Sequence, residues 1–153
     1  MSLYAILKYI HILSAIAAFG ANITYALWLT RAEKNPEALP FALRTVKIMD
    51  DWIANPAYVL LFPTGWWMAS LAGWPLTTPW ILTALILYGV LSIVGLAVYS
   101  PTLKKQIALA ESVGPASAEY KKISFRSNVI GMVLNILALS VIYLMVVKPA
   151  LWS

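Results

Sequence analysis

Long apolar runs separated by short basic stretches set the pattern of this chain. Four runs, at about 3–30, 52–71, 80–99 and 128–147, match or exceed the roughly 20 residues a helix needs to cross about 30 Å of hydrocarbon. Arg31, Lys34, Arg44 and Lys47 lie between the first and second runs. Lys104, Lys105, Lys121, Lys122 and Arg126 lie between the third and fourth, while the connection 72–79 carries no charge. Because basic loops are retained in the cytoplasm, this distribution predicts four crossings with both termini outside. The expected fold is therefore all-α: a single membrane domain over 1–153, a four-transmembrane-helix bundle, N-out/C-out. Tryptophans frame it, with Trp66, Trp67, Trp74, Trp80 and Trp152 near the outer boundary and Trp28 and Trp52 near the inner one, where indoles settle at headgroup level.

Between the runs the helical spacing does not stop. Pro36 and Pro40 break the chain, after which Leu43, Val46 and Met49 fall opposite Arg44 and Lys47. This predicts a short amphipathic helix over 41–49 on the inner surface. Ser100-Pro101 is expected to interrupt the third run, with a basic helix over 102–112 ending at Gly114-Pro115 and another over 117–127 running into the fourth span. Asn55-Pro56 and Pro63-Thr64-Gly65 predict kinks in the second span. The first run contains small residues such as Ala17 and Ala18, as a secretory signal does. Its length and the following Arg31-Ala32-Glu33-Lys34 patch predict a retained helix instead.

Composition narrows the chemistry. The chain is 61% apolar and 11% charged, against roughly 25% charge in soluble domains. Without cysteine there is no disulfide framework, thiolate metal site, iron-sulfur cluster or c-type haem attachment. The net charge of +5 comes with basic residues placed between the apolar runs, the pattern that membrane topology leaves, and implies no nucleic-acid partner. Phosphate-binding loops, nucleophile elbows and metalloprotease histidine pairs are missing, which argues against a hydrolase or a nucleotide-driven pump.

Polar residues inside the spans carry the remaining candidates, since ionisable groups in hydrocarbon are costly and face the bundle interior. His11 is the only histidine. Tyr4, Lys8, His11, Ala15, Ala18, Asn22 and Tyr25 follow one another at helical spacing, with the alanines leaving room for a flat cofactor or a close neighbour. Neutral imidazole is a common axial ligand of haem iron, so His11 is the candidate metal ligand and His11, Lys8, Asn22, Met132 and Asn135 form the candidate cofactor-binding set. The sixth position would fall to Met68, Met132, water, no ligand, or His11 of a second copy in a homodimer. The plainer alternative is a hydrogen bond from His11 across the bundle. Asn128, Gly131, Asn135 and Ala138 share a face of the fourth span, and Tyr88, Ser92, Gly95 and Tyr99 a face of the third; both read as helix-packing faces. Asp50 and Asp51, just ahead of the second span, read as acids capping its N-terminus.

Leu7-Lys8-Tyr9-Ile10-His11-Ile12, Phe19-Gly20, Pro56, Gly65, the stretch from Trp80 to Leu85 and Val146-Val147-Lys148-Pro149 resemble a family of uncharacterised bacterial predicted integral membrane proteins. That pattern is similar to the HemJ-type protoporphyrinogen oxidases and to the membrane domain of CopD-type copper-resistance proteins. The resemblance implies a small four-helix protein of a bacterial inner (plasma) membrane whose first-span histidine, here His11, binds haem b. Only that position carries over. The lysine of HemJ-type enzymes early in the third span and their later histidine have no counterpart in Leu82-Thr83-Ala84-Leu85 or in 88–99, and one histidine with scattered methionines makes a poor copper path. The expectation is haem b on His11 serving electron transfer or a porphyrin-related redox step with an unidentified redox partner; any enzyme would be a membrane oxidoreductase. The alternative is a cofactor-free transporter or channel subunit, or an assembly partner, with side chains filling the space beside Ala15 and Ala18.

Overall fold

The computed structural model describes residues 2–152, and every regular element among them is helical. The first helix, α1 (Leu3–Ala32), opens on Ser2, whose Oγ accepts the Ala5 N–H at 3.3 Å, satisfying one of the free donors of the first turn. It is followed by α2 (Leu39–Met49), α3 (Asn55–Leu71), α4 (Pro79–Val94), α5 (Ser100–Ser112) and α6 (Ala118–Val147). Ser117 caps α6 in the same manner, its Oγ accepting from the Tyr120 N–H at 3.1 Å. Gly73 and Gly114 lie just beyond α3 and α5 with φ of 69° and 83°, a backbone region that ends a helix cheaply only at glycine.

The elements join into four helical rods. Five-residue π-helical segments, Asp50–Ala54 and Gly95–Tyr99, connect α2 to α3 and α4 to α5 without a break. In each, an N–H reaches back five residues, from Asn55 to the Asp50 carbonyl and from Ser100 to the Gly95 carbonyl. A proline follows immediately, Pro56 or Pro101. Proline has no N–H and its ring collides with the carbonyl four residues earlier; widening the preceding turn by one residue relieves that collision and keeps the helix going. Ser100-Pro101 therefore does not interrupt the third run, contrary to expectation. The helix instead continues for 34 residues from Pro79 to Ser112.

Among the described residues, three helices are long and apolar enough to cross a membrane: Leu3–Ala32, Pro79–Ser112 and Ala118–Val147. The run at 52–71 falls on the second rod, where α3 has 17 residues and spans about 25 Å at 1.5 Å per residue. Through the apolar half, α1 packs along α3 and α4 along α6. Beyond it, α2, α5 and the first turns of α6 close a separate lobe around Leu39, Leu43, Val46 and Leu103, all sealed from solvent. The helix expected over 41–49 is thus present as α2. It does not lie alone on the membrane surface but packs against α1 and α5. Lys47, placed by helical phase on the solvent face, is buried and pairs with Asp51 one turn along. At the opposite end Lys148, with φ of 50°, sets its Nζ 4.9 Å and 5.3 Å from the ring centres of Trp74 and Trp80. That contact ties the α3–α4 connection to the end of α6.

Candidate functional site

In the N-terminal half of α1, His11 leans on α3. Thr64 Oγ1 donates to the Leu60 carbonyl at 2.6 Å, which leaves that oxygen to accept from His11 Nδ1–H at 2.9 Å. The tautomer assigned by this chain of donors carries its proton on Nδ1 and leaves Nε2 with a free lone pair. Directly beneath the ring is Gly65: a Cβ built there would come within 2.9 Å of His11 Cε1. The glycine is what allows the imidazole to sit flat against α3, a close approach typical of helix contacts in lipid. Two turns further in, Ala18 is 1% exposed, so side chains fill the space beside it.

A second cluster lies toward the lobe, between the α1–α3 pair and the α4–α6 pair. A cavity of about 140 Å³ is lined there by Asn22, Asp50, Tyr58, Tyr88, Ser92 and Tyr99, among others. Both π segments contribute: Asp50 opens the first, and Gly95 and Tyr99 bound the second. Asn22 Nδ2 donates to the Tyr58 hydroxyl at 2.7 Å, and the Tyr88 hydroxyl donates to the Tyr58 carbonyl at 2.8 Å. These bonds join α1, α3 and α4 around the cavity. π turns recur at functional sites because they re-aim side chains and backbone carbonyls within an otherwise regular helix.

Asp50 is the least expected member. It is 6% exposed, and its one side-chain hydrogen bond comes from Asn55 Nδ2 at 3.4 Å, which is long. Burial raises its pKa above the ordinary aspartate value; Lys47 pulls it back, Asp51 adds to the rise and the Asn55 bond opposes it. The hydroxyls of Tyr25, Tyr58 and Tyr99 lie close enough to feel its charge. Two hydroxyls in this region, Ser92 Oγ on the cavity wall and Tyr25 OH, are buried without a hydrogen-bond partner among the described residues. Such groups are costly unless water or a ligand satisfies them.

The sequence-derived candidates are thereby separated. Asn22 belongs to the chamber. His11 does not line it, and His11 bonds to Thr64 rather than to Asn135 or Tyr88. Lys8 is exposed, and Met132 is 59% exposed on the outer side of α6, which removes it as a thioether facing His11. Asn135 donates to the Gly131 carbonyl of its own helix at 3.0 Å, not to another helix, and its Oδ1 is buried without a partner. Asp50 and Asp51 are not caps, because the helix runs through them. Tyr88, Ser92, Gly95 and Tyr99 do share a face, as their spacing requires, but that face walls a cavity. The described residues contain no group of three or more His, Cys, Asp or Glu able to hold a metal. The chamber's volume is below the ~300–1,000 Å³ of pockets that enclose drug-sized ligands, so it does not fit a porphyrin.

A family model described as a predicted integral membrane protein, DUF2269, matches residues 5–149. No curated protein and no solved structure matches the chain.

Proposed function

The chain belongs to the DUF2269 family of predicted integral membrane proteins, and from that premise we propose that it is a small proton-handling membrane protein of the transporter or channel-subunit class. In this reading the α2–α3 rod also crosses, giving four spans, with both termini outside and the separate lobe in the cytoplasm. The single observation that carries it is Asp50, a carboxylate almost fully withdrawn from solvent that lines a largely apolar cavity beside the polar side chains of Asn22, Tyr58, Tyr88 and Tyr99 and has only one long hydrogen bond among the described residues. Asp50 stands just ahead of the 52–71 run, and a carboxylate buried there with so little compensation is costly to keep, which marks it as a functional-site candidate. The cavity has room for a handful of waters at roughly 30 Å³ each, and Tyr58, Tyr88, Tyr99 and Ser92 supply hydroxyls that can pass a proton toward the outer half. Lys47 and Asp51, paired at the inner mouth, place opposite charges where the proton would enter.

The test is proton uptake by the purified protein in proteoliposomes under an imposed pH gradient, beside Asp50→Asn. That substitution keeps size and hydrogen-bonding capacity while removing the titrating group. Uptake that depends on Asp50 supports the reading. A wild-type rate equal to that of empty liposomes, or to that of the variant, would overturn it.

Haem b on His11 is a second reading, favoured by the free lone pair that the Thr64 bond leaves on Nε2, since ligating histidines donate their other ring N–H to a neighbour. Absorption spectra of the oxidised and dithionite-reduced protein separate the two. A Soret band lost in His11→Ala would move haem to the first place, and a colourless protein purified with ample haem would remove it.

A further inference from the structure

A second opening faces outward at the inner boundary, between the junction of α4 with α5 and the start of the fourth span in α6. Its volume is about 300 Å³, and its wall holds Ala97, Val98, Pro101 and Ile123 together with Lys105 and Arg126. Both cations are solvent-facing, and neither is in a salt bridge among the described residues. No acid stands within four positions of either on its own helix. Of the six acids, Asp51 is held by Lys47 and Glu111 by Arg44, while Glu33 accepts from Ser124 and Asp50 from Asn55. Neither of the other two acids, Glu37 and Glu119, makes an ion pair with Lys105 or Arg126 among the described residues, so the two cations converge on a groove without a paired counter-charge.

The groove continues as an apolar track. Stepping outward from Ala97 by helical turns reaches Ile93, Val90 and Ile86, all exposed, at the three- and four-residue spacing that puts them on one face of α4. On α6, Arg126 is followed on its face by Val129 and Val133, also exposed. A pair of cations at headgroup level with two aliphatic stripes running from it toward the bilayer centre matches a phospholipid: a phosphate with one acyl chain. Basic pockets between membrane helices on the cytoplasmic side recognise anionic headgroups in this way.

We propose that this groove is a binding site for an anionic phospholipid of the cytoplasmic leaflet, its phosphate held between Lys105 and Arg126 and an acyl chain lying along Ile93, Val90 and Ile86. The site relies on the orientation given above, with the basic loops inside, but not on the proton reading of Asp50. Pro101 and the π turn before it contribute by keeping α5 continuous with α4, so that Lys105 stays above the track instead of swinging away with a broken helix.

The experiment is native mass spectrometry of the full chain released from neutral detergent, with phosphatidylglycerol, phosphatidylcholine or inorganic phosphate added. Retention is compared among wild type, Lys105→Gln/Arg126→Gln and Lys121→Gln/Lys122→Gln, the last removing the same charge outside the groove. At roughly fivefold per basic residue near an anionic surface, the groove variant should hold phosphatidylglycerol about twenty- to thirty-fold less well, and the control within about twofold of wild type. Equal losses in the two variants would reduce the effect to general surface charge and overturn the site. Equal retention of phosphatidylcholine by the wild type would overturn anionic selectivity, and inorganic phosphate binding as tightly as the lipid would make it a free-phosphate site instead. A cytoplasmic location for a reporter fused after Ser153 would sink the shared orientation while leaving Asp50-dependent uptake standing.

Discussion

The separate lobe and the membrane half of this protein are held together by different means. In the lobe, Leu39, Leu43, Val46 and Leu103 interlock with almost no exposure, and the surrounding faces carry charge. In the membrane half the closest contacts involve small residues, Ala18, Ala57, Ala84 and Ala138, and the links between helices are polar: His11 to Thr64, Asn22 to Tyr58 and Tyr88 to the Tyr58 backbone. The difference follows from the solvent. Leucine gains by leaving water but gains little by leaving lipid tails, so helices in hydrocarbon associate through close backbone approach and hydrogen bonds. One rod can therefore change its manner of packing at a π turn, as α2–α3 does at Asp50–Ala54.

The largest effect that tests this contrast is expected in the lobe. Leu43 is 0% exposed, and Leu43→Ala should cost about 2–5 kcal/mol, as cavity-forming substitutions do in water-surrounded cores. Ile93→Ala, on a lipid-facing residue of α4 that is 67% exposed, should stay within about 0.5 kcal/mol. Thermal unfolding in one detergent, followed by tryptophan fluorescence, compares them. Similar losses at both positions would mean that the lobe has no water-driven core of its own.

A smaller effect is expected where the membrane half is tightest. In Gly65→Ala the new methyl would meet His11 Cε1 at 2.9 Å and push the ring off Thr64, at a cost of about 1–3 kcal/mol by overpacking. Gly20→Ala, with nothing within 4 Å of the added carbon, should be neutral or gain up to about 1 kcal/mol in helix propensity. Adding His11→Ala to Gly65→Ala removes the clash, so the pair should be less damaging than the two losses added together. Additive losses would mean that the ring is not seated on Gly65.

Much of this architecture is legible in the sequence, and the misreadings have physical causes. Apolar runs and their basic flanks locate the rods, because helix length in lipid is set by bilayer thickness. Ser117 and Gly114 mark their boundary by local chemistry alone. The chamber was hidden because its signals are not local. An acid ahead of an apolar run looks the same whether it caps a helix or lies inside one. Asp50 is buried where residues of α1, α3, α4 and the second π segment come together around one cavity, which no single stretch of sequence displays. Asn-Pro and Ser-Pro were visible, but proline in a helix more often announces a kink than a π turn. Met132 was misassigned by helical phase: it neighbours the Asn128–Asn135 face yet points outward, while Leu134 reaches the chamber.

The smallest expected effect tests how far charge contributes to the lobe. Arg44 on α2 donates from Nε to Glu111 Oε1 on α5 at 2.7 Å, across the lobe's wetted surface. The hydrogen bond to Arg44 holds the Glu111 carboxyl below the ordinary 4.5 of a glutamate. A carboxyl whose folded-state pKa is depressed lends stability that is complete above its unfolded value and is lost as the pH falls through the folded one. The gap in unfolding temperature between wild type and Glu111→Gln should therefore be constant above about pH 5 and close on acidification below 4.5. It should also shrink in high salt, because solvated pairs are screened and contribute little. The absence of a gap at every pH would show that the Arg44–Glu111 pair adds nothing to the lobe. The lobe would then depend on apolar contact alone, and its contrast with the hydrogen-bonded membrane half would be sharper still.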